Sequence, residues 1–114
     1  MNLIIEENKI TPNAVIGGIL GESARISLKV CLDLSWQKYS AKIVFATPSG
    51  KRITRRLGKK EISIPDAVMA ERGKTHFVIV GKRGKKIRVS TCGMIIVLGD
   101  TEEPSETGGA VYGE

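Results

Sequence analysis

Apolar and polar positions alternate with a period of two along most of the chain, which is the pattern of strands that bury one face. In residues 24–32, Ile26, Leu28, Val30 and Leu32 fall on one side and Arg25, Ser27 and Lys29 on the other. Residues 41–47 are β-branched and aromatic and lead into Pro48-Ser49-Gly50, where proline presets φ and glycine supplies the positive φ of a tight turn. Residues 51–57 then set Ile53 and Leu57 against cations, so a hairpin is predicted over 41–57. Residues 61–64 predict a short strand. Between Pro65 and Gly73, proline near the start and glycine at the end give the asymmetry of a short helical turn.

A second hairpin is predicted from strands at 75–80 and 86–92 around a glycine-bearing loop at 81–85. Gly93 breaks the run, and the wholly apolar residues 94–98 predict a strand that is central or covered on both faces. With Leu3-Ile4-Ile5 at the front, the total is about seven or eight strands and one short helical turn. That series predicts an all-β fold, an antiparallel two-layer sandwich.

At 114 residues the chain fits one domain, large enough to bury a core without metals or disulfides as staples. The expected limits are 1–98 for the sandwich and 99–114 for an acidic tail of Gly, Pro, Ser and carboxylates. That tail has no apolar period, so it is expected to be disordered. No apolar run reaches the ~18 residues of a membrane span. Residues 1–7 lack the basic start and apolar stretch of a signal peptide, so cytoplasmic synthesis is expected. Cys31 and Cys92 lie in apolar alternating runs, where free, buried thiols are expected.

The formal charge of +6 is uneven. Residues 51–88 hold thirteen cations and three carboxylates, whereas 99–114 hold five carboxylates and no cation. Lys51, Arg52, Arg55 and Arg56 decorate the first hairpin, Lys59 and Lys60 its exit, and Lys82, Arg83, Lys85, Lys86 and Arg88 the second. Clustered cations attract phosphate. Single-strand binding, however, couples charge to aromatic stacking, and aromatic residues are only 4% of this chain. Phe45 and Phe77 lie in core-like runs, which leaves Trp36 and Tyr39, in the loop 33–39, as platforms for a base or a sugar ring. Contact with an acidic protein surface through Arg52, Arg55, Arg56, Lys82, Arg83, Lys85 and Lys86 is therefore the leading expectation. The alternatives are a plain solvated face, a nucleic acid bound through the cationic hairpins, and a host-surface carbohydrate held by Trp36 and Tyr39.

No catalytic, cofactor or metal site is expected. Gly17-Gly18-Ile19-Leu20-Gly21 lacks the spacing of a phosphate-binding loop and precedes a strand, so its glycines read as turn or bulge residues. The segment 81–86 shares only composition with a P-loop. His76 falls on the strand face opposite Phe77, without a nucleophile beside it. Asp33, Glu61 and Asp66 are scattered among excess cations, where ion pairs are expected. One histidine and no Cys-x-x-Cys pair give no metal-ligand spacing.

The order of these features resembles a known family. It runs from the polar turn Asp33-Leu34-Ser35-Trp36 through the strand at 41–47, the cationic return strand, and Ile64-Pro65-Asp66-Ala67-Val68-Met69-Ala70 with Gly73. The strand containing Phe77-Val78-Ile79-Val80, a glycine hairpin and a last strand complete it. Over roughly residues 22–98 the chain is similar to the small immunoglobulin-like modules of tailed-phage and prophage structural proteins, such as the N-terminal domain of phage baseplate upper proteins. The resemblance implies an immunoglobulin-like sandwich that packs against other virion proteins or copies of itself, in the virion and, during assembly, in the host cytoplasm. It brings no catalytic residue. Antibody-type domains fit poorly, because Trp36 follows Cys31 by only five residues and Ser90, not tyrosine, stands two before Cys92.

Overall fold

The computed structural model describes residues 1–24, 26–58 and 61–99. The acidic tail lies outside the described residues from Asp100 onward, as do Arg25, Lys59 and Lys60. Among the described residues ten strands form two sheets: β1 (Asn2–Glu6), β2 (Lys9–Thr11), β3 (Ala14–Ile19), β4 (Ser27–Leu32), β5 (Ser40–Ala46), β6 (Arg52–Arg56), β7 (Ile62–Ser63), β8 (Gly73–Arg83), β9 (Lys86–Val89) and β10 (Gly93–Leu98). A 3-10 turn, Leu34–Trp36, precedes β5, and a single α-helical turn, α1 (Asp66–Met69), precedes β8. The first sheet runs β2-β1-β4-β7. The second runs β3-β10-β8-β5-β6, with β9 also paired to β8.

The alternation read from sequence is the alternation of burial. Leu3, Ile5 and Leu28 of the first sheet face Ile43, Phe45, Phe77, Ile79, Ile95 and Val97 of the second, all almost wholly excluded from solvent. Ile64, Val68 and Met69, on and beside α1, join the same core. Both predicted hairpins form. Gly50 takes φ +92° in the first turn, and Gly84 takes φ +59° in the second, a two-residue turn tighter than the five-residue loop expected.

β8 organises the second sheet. Along one edge it pairs with β5, and along the other it pairs first with β10 and then with β9, so those two strands lie end to end. Ser90 covers the break: its N–H donates to the Ile79 carbonyl at 2.9 Å and its hydroxyl accepts the Ile79 N–H at 2.8 Å. At mid-strand, Phe45, Phe77 and Gly93 form one row across three strands. The two rings pack with centroids 6.1 Å apart, and a Cβ on Gly93 would lie 2.4 Å from the Phe77 ring. Phe77 occupies the volume that any larger residue at 93 would need.

Several expectations are corrected. Strands number ten because β2 and β3 were not foreseen: β2 is three residues long, and Gly17-Gly18 interrupt the apolar run of β3. Those glycines do form a bulge, since Ile16 pairs with Ile96 but Gly18 with Val97. The sandwich is not wholly antiparallel, because β1 pairs parallel with β4 and β3 parallel with β10. A period of two reports which face is buried and carries no information on strand direction. β10 is central as expected, yet its outer face is only partly covered, with Leu98 46% exposed. Both cysteines are free, but Cys31 is half-buried and Cys92 exposed, the latter because it stands in the gap between β9 and β10.

Gly93→Ala should lower stability by about 1–3 kcal/mol, because the ring of Phe77 cannot yield without disturbing Phe45. Gly58→Ala, where no atom lies within 4 Å of the new methyl group, should cost nothing measurable. Urea unfolding followed by the emission of Trp36, the sole tryptophan, compares the two.

Candidate functional site

The sandwich is closed at one end by the 3-10 turn. Asp33 caps it, accepting the Ser35 N–H at 3.0 Å on one oxygen and the Glu7 N–H at 2.6 Å on the other, while the Ser35 hydroxyl also donates to it. Trp36 is thereby turned inward, 2% exposed, with its indole N–H donating to the Glu7 carbonyl. It lies beneath Gly81 of β8, where a Cβ would meet its ring at 2.9 Å. Arg88 of β9 shares the inner face with Gly81 and sets its guanidinium 5.1 Å from the Trp36 ring centroid. The same guanidinium donates to the Ser35 carbonyl at 2.9 Å, the Ser35 hydroxyl at 2.8 Å and Asn8 Oδ1 at 3.1 Å. Arg88, counted with the cationic hairpin in the sequence, is a structural clamp. Trp36 is a core residue, unavailable as a platform for a base or a sugar.

At this end β5 begins, β6 ends and the β8–β9 hairpin makes its turn, and here the cations gather. Register decides their faces. Ser40 stands opposite Lys82, and Lys42 stands between Val80 and Arg56, so Ser40, Lys42, Arg56 and Lys82 share the outer face of the second sheet. With Ala41 and Gly84 they line a shallow concavity of about 400 Å³. The same rows continue onto β9, where Ile87 stands beside Lys82 and Val89 beside Val80, 68% and 47% exposed. A cationic cradle thus adjoins an exposed apolar strip.

The seven residues expected to meet an acidic partner divide accordingly. Arg56 and Lys82 lie in the cradle, and Arg52 is on the same face four residues along β6, about 13 Å away. Arg55 is on the opposite face, in register with Ile43, and its guanidinium donates to the Thr54 carbonyl at 3.0 Å. Arg83 and Lys86 pair with each other on that opposite face, and Lys85 is at the turn. All seven are exposed, and no carboxylate of a described residue pairs with them. Lys42 was missed by the sequence reading. Its polar position on β5 was legible, but only the pairing of β5 with β6 and β8 brings it between Arg56 and Lys82.

Among the described residues the carboxylates are held by hydroxyls and amides, and Lys59 and Lys60, the cations next to Glu61, lie outside the described residues. Glu61 accepts the Ser27 hydroxyl at 2.7 Å, Asp66 sits in the first turn of α1, and Asp33 takes the amides and hydroxyl described above. The Ser35 hydroxyl first, and the Glu7 amide next, hold the Asp33 carboxyl below its ordinary value of 3.8. Glu71 accepts the Ser49 hydroxyl and N–H, both at 2.8 Å, which lowers it below 4.5 and closes the turn at Pro48 to Gly50. His76 is exposed on the outer face, as expected. Among the described residues no cluster of three or more His, Cys, Asp or Glu could hold a metal ion, and no helix is long and apolar enough to cross a membrane.

Comparison with protein-family models finds no match, and comparison with curated proteins finds no similar sequence.

Two outcomes follow from the clamp. Arg88→Met should cost about 2 kcal/mol and shift Trp36 emission to longer wavelength, since three hydrogen bonds from a charged group and a cation–π contact are lost together. A fluorescence-monitored urea titration reads both. Because the folded-state pKa values of Asp33 and Glu71 are depressed, their contribution to stability is present above the ordinary carboxylate values and is lost as pH falls through the lowered ones. Urea midpoints measured from neutral pH downward should stay level and then fall in acid, with a shallower fall in Asp33→Asn.

Proposed function

We propose that this chain is a non-enzymatic assembly module that binds acidic protein surface through the cationic end of its six-stranded sheet, as a tail or baseplate component of a phage or prophage particle. The observation that carries the mode of binding is the joining of cations at Lys42, Arg56 and Lys82, which have no carboxylate partner among the described residues, to exposed Ile87 and Val89 on one face. Protein interfaces combine an apolar centre with a polar rim and are enriched in arginine, and contiguous exposed apolar surface marks such contacts. Trp36, Phe45 and Phe77 are buried in the core and Tyr39 is half-buried with its ring against Trp36, which leaves no exposed tryptophan, tyrosine or phenylalanine ring among the described residues for single-stranded nucleic acid to stack on. The virion setting, and with it the immunoglobulin-like class, rests on the order of motifs over residues 22–98.

Fluorescence anisotropy with labelled poly-glutamate and labelled DNA, each across a salt series, tests the mode of binding. Poly-glutamate should bind at low salt, and the triple variant Lys42→Glu, Arg56→Glu, Lys82→Glu should weaken it by at least about tenfold. Tighter binding of DNA than of poly-glutamate, with a steep log–log salt slope, would instead establish the nucleic-acid reading.

A further inference from the structure

The described chain leaves the sandwich at the end opposite the cradle. β10 runs out at Leu98 beside the start of β8, since Val97 is in register with Gly73. The cradle is at the other end of β8, where Lys82 is in register with Ser40. Nine residues of strand separate Gly73 from Lys82, about 30 Å. Asp100, Glu102 and Glu103 follow Gly99 by one, three and four residues. Even a fully extended chain carries the last of them only about 14 Å, roughly half the distance to the cradle of its own copy.

The charges nevertheless match in sign and number. Lys42, Arg56 and Lys82 share one concavity and have no carboxylate partner among the described residues. Residues 99–103 supply three carboxylates and no cation. A contact that geometry forbids within one copy is open between two.

We infer that the acidic segment 100–103 of one copy seats in the Ser40–Lys42–Arg56–Lys82 cradle of the next, so that copies associate head to tail. This rests on the acidic-surface reading above and names the partner as a second copy of the same chain. The contact is heterologous, because the patch donated differs from the patch received, and repetition gives a ring where the rotation closes or a filament where it does not. Arg72, whose guanidinium lies against Gly99, and Lys74 stand at the tail's own end of β8 and are the competing partners within one copy. Neutralisation there would leave the protein monomeric.

Sedimentation velocity of the full chain over a concentration series at low salt decides between these. The wild type should show a sedimentation coefficient that rises with concentration and falls back at high salt. A tail variant (Asp100→Lys, Glu102→Lys, Glu103→Lys) and the cradle variant (Lys42→Glu, Arg56→Glu, Lys82→Glu) should each associate at least about tenfold more weakly. An equimolar mixture of the two should recover association, because the reversed tail now matches the reversed cradle. All these positions are exposed or in the tail, and Trp36 emission verifies that each variant is folded. A wild type that stays monomeric, a reversed variant that associates like the wild type, or a mixture that fails to recover would overturn the inference. Poly-glutamate binding alongside a monomeric wild type would overturn it while leaving the acidic-surface reading in place.

Discussion

The packing of Phe77 against Gly93 is the constraint from which the rest of the architecture follows. β8 is the strand against which β5, β9 and β10 all pair, and its middle must face the opposing sheet. A phenylalanine at that point, beside Phe45, fills the inner layer only because its neighbour on β10 has no side chain. The same accommodation recurs at Gly81 over Trp36 and at Gly17 against Ile95. At these three places a large residue fills the volume that a glycine leaves free. Trp36 is the last of these fillers. Past Gly81 the β8–β9 hairpin runs on to its turn with exposed Arg83 and Lys86 in register, and on the edge strand β6 Arg55 is exposed in register with Ile43.

Closure at that end is polar as well as apolar. The turn between β1 and β2 belongs to one sheet and β9 to the other, and Arg88 of β9 bonds to that turn through Asn8 and to the 3-10 turn through Ser35. Asp33 completes the arrangement by holding the Glu7 amide, and Glu7 itself is a non-glycine residue at φ +54°, a conformation costing about 1 kcal/mol or more. The carboxylate, the guanidinium and the indole thus fix one another. A cation that would otherwise add to the exposed group is consumed in fastening the two layers.

What remains exposed is a face of mixed character. Bare cations on an edge such as β6 discourage indiscriminate strand pairing. An apolar strip next to them favours a partner that can satisfy both, and a segment bearing carboxylates does so. The cradle is at one end of β8, and the last described residues of the chain leave the sandwich at the other.

Much of this was legible in the chain. Period-two alternation marked β4 and β6, because a strand with one dry face must repeat every second position, while β-branched and aromatic composition marked β5 and an unbroken apolar run marked β10. Turn chemistry at Pro48-Ser49-Gly50 and at Gly84 located both hairpins. The charge asymmetry was visible as a count. Strand direction, the parallel pairs β1–β4 and β3–β10, and the two short strands were not, since each depends on which distant segment supplies the hydrogen bonds. The site was legible in composition but not in membership. Sequence grouped seven cations by proximity along the chain, whereas register sent Arg55, Arg83 and Lys86 to one face, brought Lys42 into the other and drew Arg88 inward. The amino-acid order by itself determined that the protein would be a β-sandwich with a basic middle and an acidic end. Which of those charges would stand side by side was decided by the tertiary structure, because cross-strand pairing joins residues that the covalent chain keeps far apart.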